Sequence, residues 1–349
     1  SREIVQKLFL TADEGSVKHV IDSQTTSKKE ALDAYYELLM ETNGLTTNKN
    51  AFIENMNKRQ VGIVGELNGS ARGASIDSYL FSSLGIGCRL FNTSVGEIVH
   101  EIVPEGENLN LCNELLMQEH KKNPSVVLGY VPDNDGDRGN IVYWDELAKK
   151  VITLSAQELF ALIALIELHR AKEKFDKIAI VVNGPTSLLI DHIGERLNVL
   201  VERTEVGEAY VVERGNELRD KGYSVPIVGE GSNGGIISYP CKVRDPMNTL
   251  LSLVRLLSDE KLFQKVTRLH TSKPSIALAV RSLEKRTITG SFSSKAKLSI
   301  KSEDHGLLKT SYEKHFAASF EKRKEELRKN FGSTSWSEEQ HVGTATRIG

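Results

Sequence analysis

Disulfides, membrane spans, internal repeats and a one-signed charge are all missing from this chain of 349 residues. Its three cysteines, Cys88, Cys112 and Cys241, form no CxxC pair, so neither a disulfide framework nor a zinc knuckle is indicated. That usage fits a reducing cytoplasm. The most apolar helix-like run, Leu159 to Leu168, falls far short of the roughly 20 residues that span a bilayer. No basic stretch leads into an apolar one at the N-terminus, as a signal peptide requires. A formal net charge of -2 gives no field to hold nucleic acid, so a phosphorylated ligand has to find local positive charge.

What is present is a globular composition, 39% hydrophobic and 26% charged, long enough for about two or three domains. Ser1 stands where a start methionine would, which fits processing, a trimmed chain or a domain cut from a longer protein. Residues 1–58 are polar and helical in pattern. Thr25, Thr26 and Ser27 are candidate caps for a helix from Lys28 to Met40, in which Ala31, Leu32, Tyr35, Leu38 and Leu39 fall at helical spacing.

From Gln60 onward strands alternate with helices, the signature of an α/β layered domain. Val61-Gly-Ile-Val-Gly reads as a buried strand. Asp77 to Leu84 reads as a helix, Cys88 to Phe91 as a strand, and Leu109 to Glu119 as a helix. Two further strands, Ser125 to Tyr130 and Asn140 to Trp144, flank an acidic loop. A second α/β unit begins near Leu154, where Ser155 and Glu158 form a capping-box pattern before a helix through Leu168. It continues through strands at Lys177 to Val182, Val199 to Glu202, Val225 to Val228 and Ile236 to Tyr239. Helices are expected at Ser187 to Leu197 and Met247 to Leu257. Beyond residue 268 the pattern thins to a strand at Lys295 to Ile300 and a charged helix from Tyr312 to Lys329.

The acidic loop is Pro132-Asp-Asn-Asp-Gly-Asp-Arg138. Three carboxylates at alternate positions repel one another if ionised and close. A divalent cation relieves that repulsion, and oxygen-only ligands favour magnesium, manganese or calcium over zinc. Gly136 lets the chain turn so that all three face one point, and Arg138 is placed to bind a phosphate oxygen beside the metal. A calcium loop of the EF-hand kind wants Gly sixth and Glu twelfth, where this chain has Arg138 and Trp144. A haloacid-dehalogenase-like phosphatase also places Asp-x-Asp after a strand, which would make Asp133 a nucleophile. The plain alternative is an acidic surface turn.

Gly229, Gly231 and Gly234 satisfy GxGxxG, but a dinucleotide fingerprint opens a helix, and Ile236 to Tyr239 reads as a strand. Glu230 and Ser232 instead offer an acceptor and a donor on a loop able to close over sugar hydroxyls. The plain alternative is a tight hairpin with a solvated Glu230.

Together and in this order, the two loops resemble those of the α-D-phosphohexomutases, the phosphoglucomutase and phosphomannomutase family. Asp133 to Arg138 looks like its magnesium loop and Gly229 to Ser232 like its sugar-recognition loop. Thr204-Glu-Val-Gly207 is similar to its short turn near the substrate, and Pro104 to Leu109 to a segment before the metal loop. The resemblance spans roughly residues 60 to 265. It implies consecutive three-layer α/β/α domains with mixed sheets. The expected division is a helical tail of a first domain at 1–58, a second domain with the metal loop at 59–153, a third with the sugar loop at 154–268, and a linker with an incomplete further domain at 269–349.

The resemblance also implies a mechanism: phosphoryl transfer on a hexose phosphate through a phosphoserine and magnesium. Asp133, Asp135 and Asp137 would hold the metal and Arg138 would contact phosphate. Glu230, Gly231, Ser232, Thr204, Val206 and Gly207 would face the substrate. The family's Thr-Ala-Ser-His-Asn-Pro serine motif is absent, since Thr11-Ala12 is followed by Asp13. Its Arg-x-Ser-Gly-Thr phosphate clamp is absent too. The expectation is therefore a mutase fragment, inactive by itself, with no nucleic-acid or membrane partner. A metal-dependent phosphatase and a non-catalytic sugar-phosphate-binding protein are the alternatives. Glucose against mannose preference and oligomeric state are left open.

Overall fold

The structure, a computed structural model, describes residues 6–7, 10–11, 13–231, 234–283, 304–331, 338–340 and 346–348. The chain divides into two compact units, Ser1–Gly290 and Ser291–Gly349.

The first unit opens with two helices, α1 (Glu14–Thr42) and α2 (Lys49–Arg59). The expected caps Thr25, Thr26 and Ser27 lie inside α1. Asp13 is the true N-cap, its carboxylate accepting the Ser16 N–H at 2.9 Å. An aspartate one residue before an uninterrupted helical run satisfies an orphan donor and begins the helix a dozen residues earlier than the apolar spacing indicates.

The first sheet follows. It is built from β1 (Gly62–Glu66), β2 (Gly87–Phe91), β3 (Val126–Pro132), β4 (Gly139–Asp145) and β5 (Lys150–Thr153), in the spatial order β2-β1-β3-β4-β5. β1 pairs parallel with β2 and β3, while β3, β4 and β5 run antiparallel, so the sheet is mixed. β5 carries no signal strong enough to be expected: it is four residues, two of them exposed. Helix α3 (Asp77–Ser83) lies between β1 and β2, and α4 (Asn110–Lys122) precedes β3. Alternation sorts the strand side chains between faces. Val64, Val131 and Val142 bury against Leu109, Cys112 and Leu116. Ile63, Leu128, Tyr130, Ile141 and Tyr143 face the main core.

The second sheet has β6 (Ala179–Asn183), β7 (Leu200–Thr204), β8 (Ile227–Glu230) and β9 (Gly235–Ser238) in the order β7-β6-β8-β9. Its first two pairings are parallel and the last is an antiparallel hairpin. One face packs Val181, Val228 and Ile237 on α7 (Glu208–Asp220). The other packs Ile180, Val182, Ile227 and Ile236 into the main core. Helix α7 is weakly amphipathic, with only Val211, Gly215 and Leu218 buried, and the sequence pattern did not announce it.

Helix α5 (Ala156–Lys172) is the hub. The capping box is present: the Ser155 hydroxyl accepts from the Glu158 N–H while the Glu158 side chain returns to the Ser155 backbone. Eleven of its residues are buried on all sides, which is why it reads as an apolar run rather than an amphipathic stripe. Helix α6 (Leu189–Leu197) lies beside it. α8 (Pro246–Ser258), α9 (Glu260–Thr267) and α10 (Ile276–Arg281) also pack on it. The division expected at residue 268 falls between α9 and α10, and α10 adds Ile276, Ala277 and Val280 to the same core.

The second unit contains α11 (His305–Phe331), with i,i+3 ion pairs Glu321–Lys324 and Glu325–Arg328, and a two-stranded ribbon of β10 (Glu338–Gln340) and β11 (Thr346–Ile348). The strand expected at Lys295 to Ile300 lies outside the described residues. Among the described residues no helix is long and apolar enough to cross a membrane.

Candidate functional site

The aspartate loop joins β3 to β4 and is closed by the Asp133 N–H donating to the Arg138 carbonyl at 3.0 Å. Asp133 is buried. Its Oδ1 accepts the N–H of Gly136 (3.2 Å) and of Arg138 (3.1 Å), and its Oδ2 accepts Arg138 Nε at 2.8 Å. The Ala71 N–H donates to the Asn134 carbonyl at 2.9 Å, tying the loop to the turn after β1. Gly136 has φ +81°, and a Cβ there would stand 2.6 Å from Cδ and 2.8 Å from Cγ of Arg72. Glycine is required for both the angle and the approach.

Arg72 is a fixed floor for that loop. It pairs with buried Asp77 and donates to the Tyr35 hydroxyl at 2.8 Å, while the Tyr130 hydroxyl donates to Asp77 at 2.8 Å. The Tyr35 hydroxyl donates in turn to Asp245 at 2.8 Å. Burial by itself would lower the Arg72 pKa, but the charges of Asp77, Tyr35 and Asp245 hold it above its ordinary value.

Asp133, Asp135 and Asp137 each offer a carboxylate oxygen, and the three lie within 4.8 Å of one another. Asp137 Oδ1 is buried without a hydrogen-bond partner. Burial pushes the Asp137 carboxyl up, Arg244 pulls it down without cancelling that, and Asp133 and Asp135 push it up further. An all-oxygen donor set with one oxygen unsatisfied and mutually repelling charges fits a hard divalent cation. Arg138 stays above its usual range, because its bond and charge pairing with Asp133 outweigh burial.

The glycine loop is the hairpin between β8 and β9, at the carboxyl end of β8. Glu230 is buried rather than solvated: its Oε1 accepts Asn183 Nδ2 at 2.8 Å and the Gly207 N–H at 2.9 Å. The Gly231 N–H donates to Thr186 Oγ1 at 2.9 Å, and a Cβ at Gly231 would stand 2.6 Å from Gln157 Oε1. Gly234 has φ +73°, and a Cβ there would lie 3.0 Å from Asn140 Oδ1, one residue into β4. The glycine loop therefore abuts the exit of the aspartate loop. Thr204 ends β7, Val206 is exposed, and Gly207 precedes α7. Ser232 lies outside the described residues.

One residue absent from the sequence reading ties these parts together. Arg244 pairs with Asp137 and, through Nε at 3.2 Å, with Glu208 beside the Thr204–Gly207 turn. The next residue, Asp245, caps α8 by accepting the Met247 N–H at 2.8 Å and meets the Arg72 and Tyr35 network. Nothing in the sequence marks Arg244 as the partner of an aspartate 107 residues away. Arg203 was also missed. It donates to the carbonyls of Gly184 (3.0 Å) and Thr186 (2.8 Å), shaping the loop that carries Thr186. His100 places Nε2 2.7 Å from the buried carboxylate of Glu66.

Fold and site together are an α/β arrangement of mixed sheets whose strand ends bring an acidic loop against a glycine-rich one. Residues 156–274 match the family model described as phosphoglucomutase/phosphomannomutase, alpha/beta/alpha domain III. Among solved structures it is similar to the exocytosis-sensitive phosphoprotein parafusin, a phosphoglucomutase from Paramecium, in its open form. That likeness has TM-score 0.52 at 16% identity, over 72% of this chain and 41% of that one, and concerns the fold. A phosphoglucomutase/phosphomannomutase family protein from Burkholderia thailandensis gives TM-score 0.49 at 19% identity, over 68% of this chain and 46% of the other. An N-acetylglucosamine-phosphate mutase in its substrate complex gives 0.45 at 15%, over 64% and 47%. The chain spans less than half the length of each of these structures. Comparison with curated proteins gave no match.

Proposed function

We propose that this chain carries the metal-binding and sugar-binding parts of a phosphohexomutase acting on a hexose phosphate. The observation that carries the reading is the Asp137–Arg244–Glu208 bridge, which draws the aspartate loop to the turn whose Gly207 N–H is held by Glu230. Two motifs separated by about ninety residues thus serve one neighbourhood.

In this reading Asp133, Asp135 and Asp137 hold magnesium. When bound, the metal would withdraw charge from a transferring phosphoryl group. Arg138, fixed by Asp133, presents a planar cation for phosphate. Glu230, with Gly231 and Ser232, takes sugar hydroxyls, and Thr204, Val206 and Gly207 border the same space. The rest of the work is positioning and electrostatics, as phosphoryl transfer demands. The serine motif of the family does not occur in these 349 residues, so the reading assigns phosphoryl donation to a segment outside them.

Calorimetry tests this directly. Glucose 1-phosphate or mannose 1-phosphate should bind in the presence of magnesium, Asp135→Asn should abolish the magnesium dependence, and a coupled mutase assay on this chain should show no turnover. Absence of any hexose-phosphate binding would sink the reading. Steady release of inorganic phosphate, lost in Asp133→Asn, would favour a phosphatase instead.

A further inference from the structure

A cavity of about 830 Å³ opens away from the loops described above. It is bounded by Phe175 before β6 and by Tyr223 before β8, so it lies at the amino ends of these strands, whereas Asn183 and Glu230 stand at their carboxyl ends. Its other walls come from the end of α1 and from α2, α5, α7, α8 and α9. The size suits a small metabolite.

The lining is basic in a chain whose net charge is -2: six Arg and Lys against four Asp and Glu. Three of those acids are already engaged. Glu167 accepts from Arg170 and Ser252, Glu173 pairs with Lys265, and Asp259 caps α9. Lys174 and Lys261 make no ion pair among the described residues. Deeper in, Arg170 and Arg255 both donate to a single neutral acceptor, the Asn43 carbonyl at the end of α1. Arg255 Nη1 is buried without a hydrogen-bond partner, and the guanidinium sits 5.8 Å from the Phe52 ring centroid. Burial, with Arg170 beside it, pushes Arg255 down to about 9. Glu167 balances Arg170, but Arg255 makes no ion pair among the described residues, and an anion reaching both guanidiniums would offset their repulsion and meet the unmet donor.

We propose that this cavity binds a small phosphate-bearing metabolite, with Arg170 and Arg255 holding the phosphate, Lys174 and Lys261 at the margin, and Phe52, Phe175 and Tyr223 offering apolar surface to its body. The site is separate from the aspartate loop and does not depend on the function proposed for that loop.

The test is calorimetric titration of the full chain with inorganic pyrophosphate in EDTA, so that no divalent cation contributes. The expected result is saturable binding that Arg138→Ala leaves unchanged. Arg255→Met should weaken it at least about tenfold, the loss of one charge-assisted bond. The double variant Lys174→Ala with Lys261→Ala, both exposed side chains, should weaken it as well. It decides the matter if Arg255→Met does not fold. No pyrophosphate binding, or binding lost in Arg138→Ala and intact in the lysine double variant, overturns the proposal.

Discussion

Arg244 is ion-paired to Asp137, and through the same guanidinium it reaches Glu208 on the neighbouring sheet's side of the site. The pair is 21% and 31% exposed, so its contribution to stability is modest, under about 1 kcal/mol. Its value is in register. Arg244→Ala should leave the melting transition nearly unchanged while weakening hexose-phosphate binding about tenfold, as calorimetry in magnesium would read. Arg244→Lys keeps the charge but loses the fork that reaches two carboxylates, so it should restore little. Equal sugar-phosphate affinity in all three proteins would refute the bridging role.

Gly136 is held between a positive φ and the methylene groups of Arg72. Gly136→Ala adds backbone strain of about 1–3 kcal/mol and a methyl that meets a side chain pinned by Asp77 and Tyr35. The loop has to shift, and magnesium affinity should fall about tenfold or more. Gly96→Ala is the control, because nothing stands within 4 Å of its Cβ position although its φ is +89°. It shares the strain but should leave magnesium binding alone.

Glu230 accepts two bonds through one oxygen. Glu230→Gln can keep both through its amide oxygen, so the fold should persist while hexose-phosphate affinity drops with the lost charge. Glu230→Ala leaves the Asn183 amide and the Gly207 N–H unpaired in a buried place, a cost of about 1–3 kcal/mol. Urea denaturation separates the two. Equal stability of the Ala and Gln variants would contradict this account.

His169, on the hub helix α5, is pushed down to about 4 by burial, with Arg196, Lys265, Lys172 and Arg268 adding to the effect. Its folded value lies below its unfolded one, so between pH 6.5 and about 4 the unfolded chain binds the extra proton. Stability from this group is therefore complete above pH 6.5 and declines as the pH falls toward 4. Melting temperatures measured across that window should slope downward with acid, and His169→Gln should flatten the slope. An unchanged slope would place its origin elsewhere.

The loops were legible because their chemistry is local. Alternating carboxylates with a glycine and a following arginine advertise a carboxylate cluster within six residues. Ser155 and Glu158 advertise a helix start within four, and both loops sit between apolar runs of strand length. Among the elements that escaped, β5 and α7 are short or weakly patterned and take their form from neighbours that bury only part of them. Glu230 shows the limit in another way: its composition allowed a solvated hairpin, and only its burial against Asn183 and Gly207 gave it a defined place.

The order of strands and helices, the carboxylate cluster and the glycine hairpin follow from short-range rules of periodicity, capping and charge repulsion, so the chain itself states them. The pairing of Arg244 with Asp137, the Arg72 floor beneath Gly136, and the meeting of Arg170 with Arg255 over one carbonyl join residues tens to hundreds of positions apart. Such contacts arise only when two sheets and their helices pack, because a cation's partner is chosen by proximity in space, and no spacing along the chain encodes that distance.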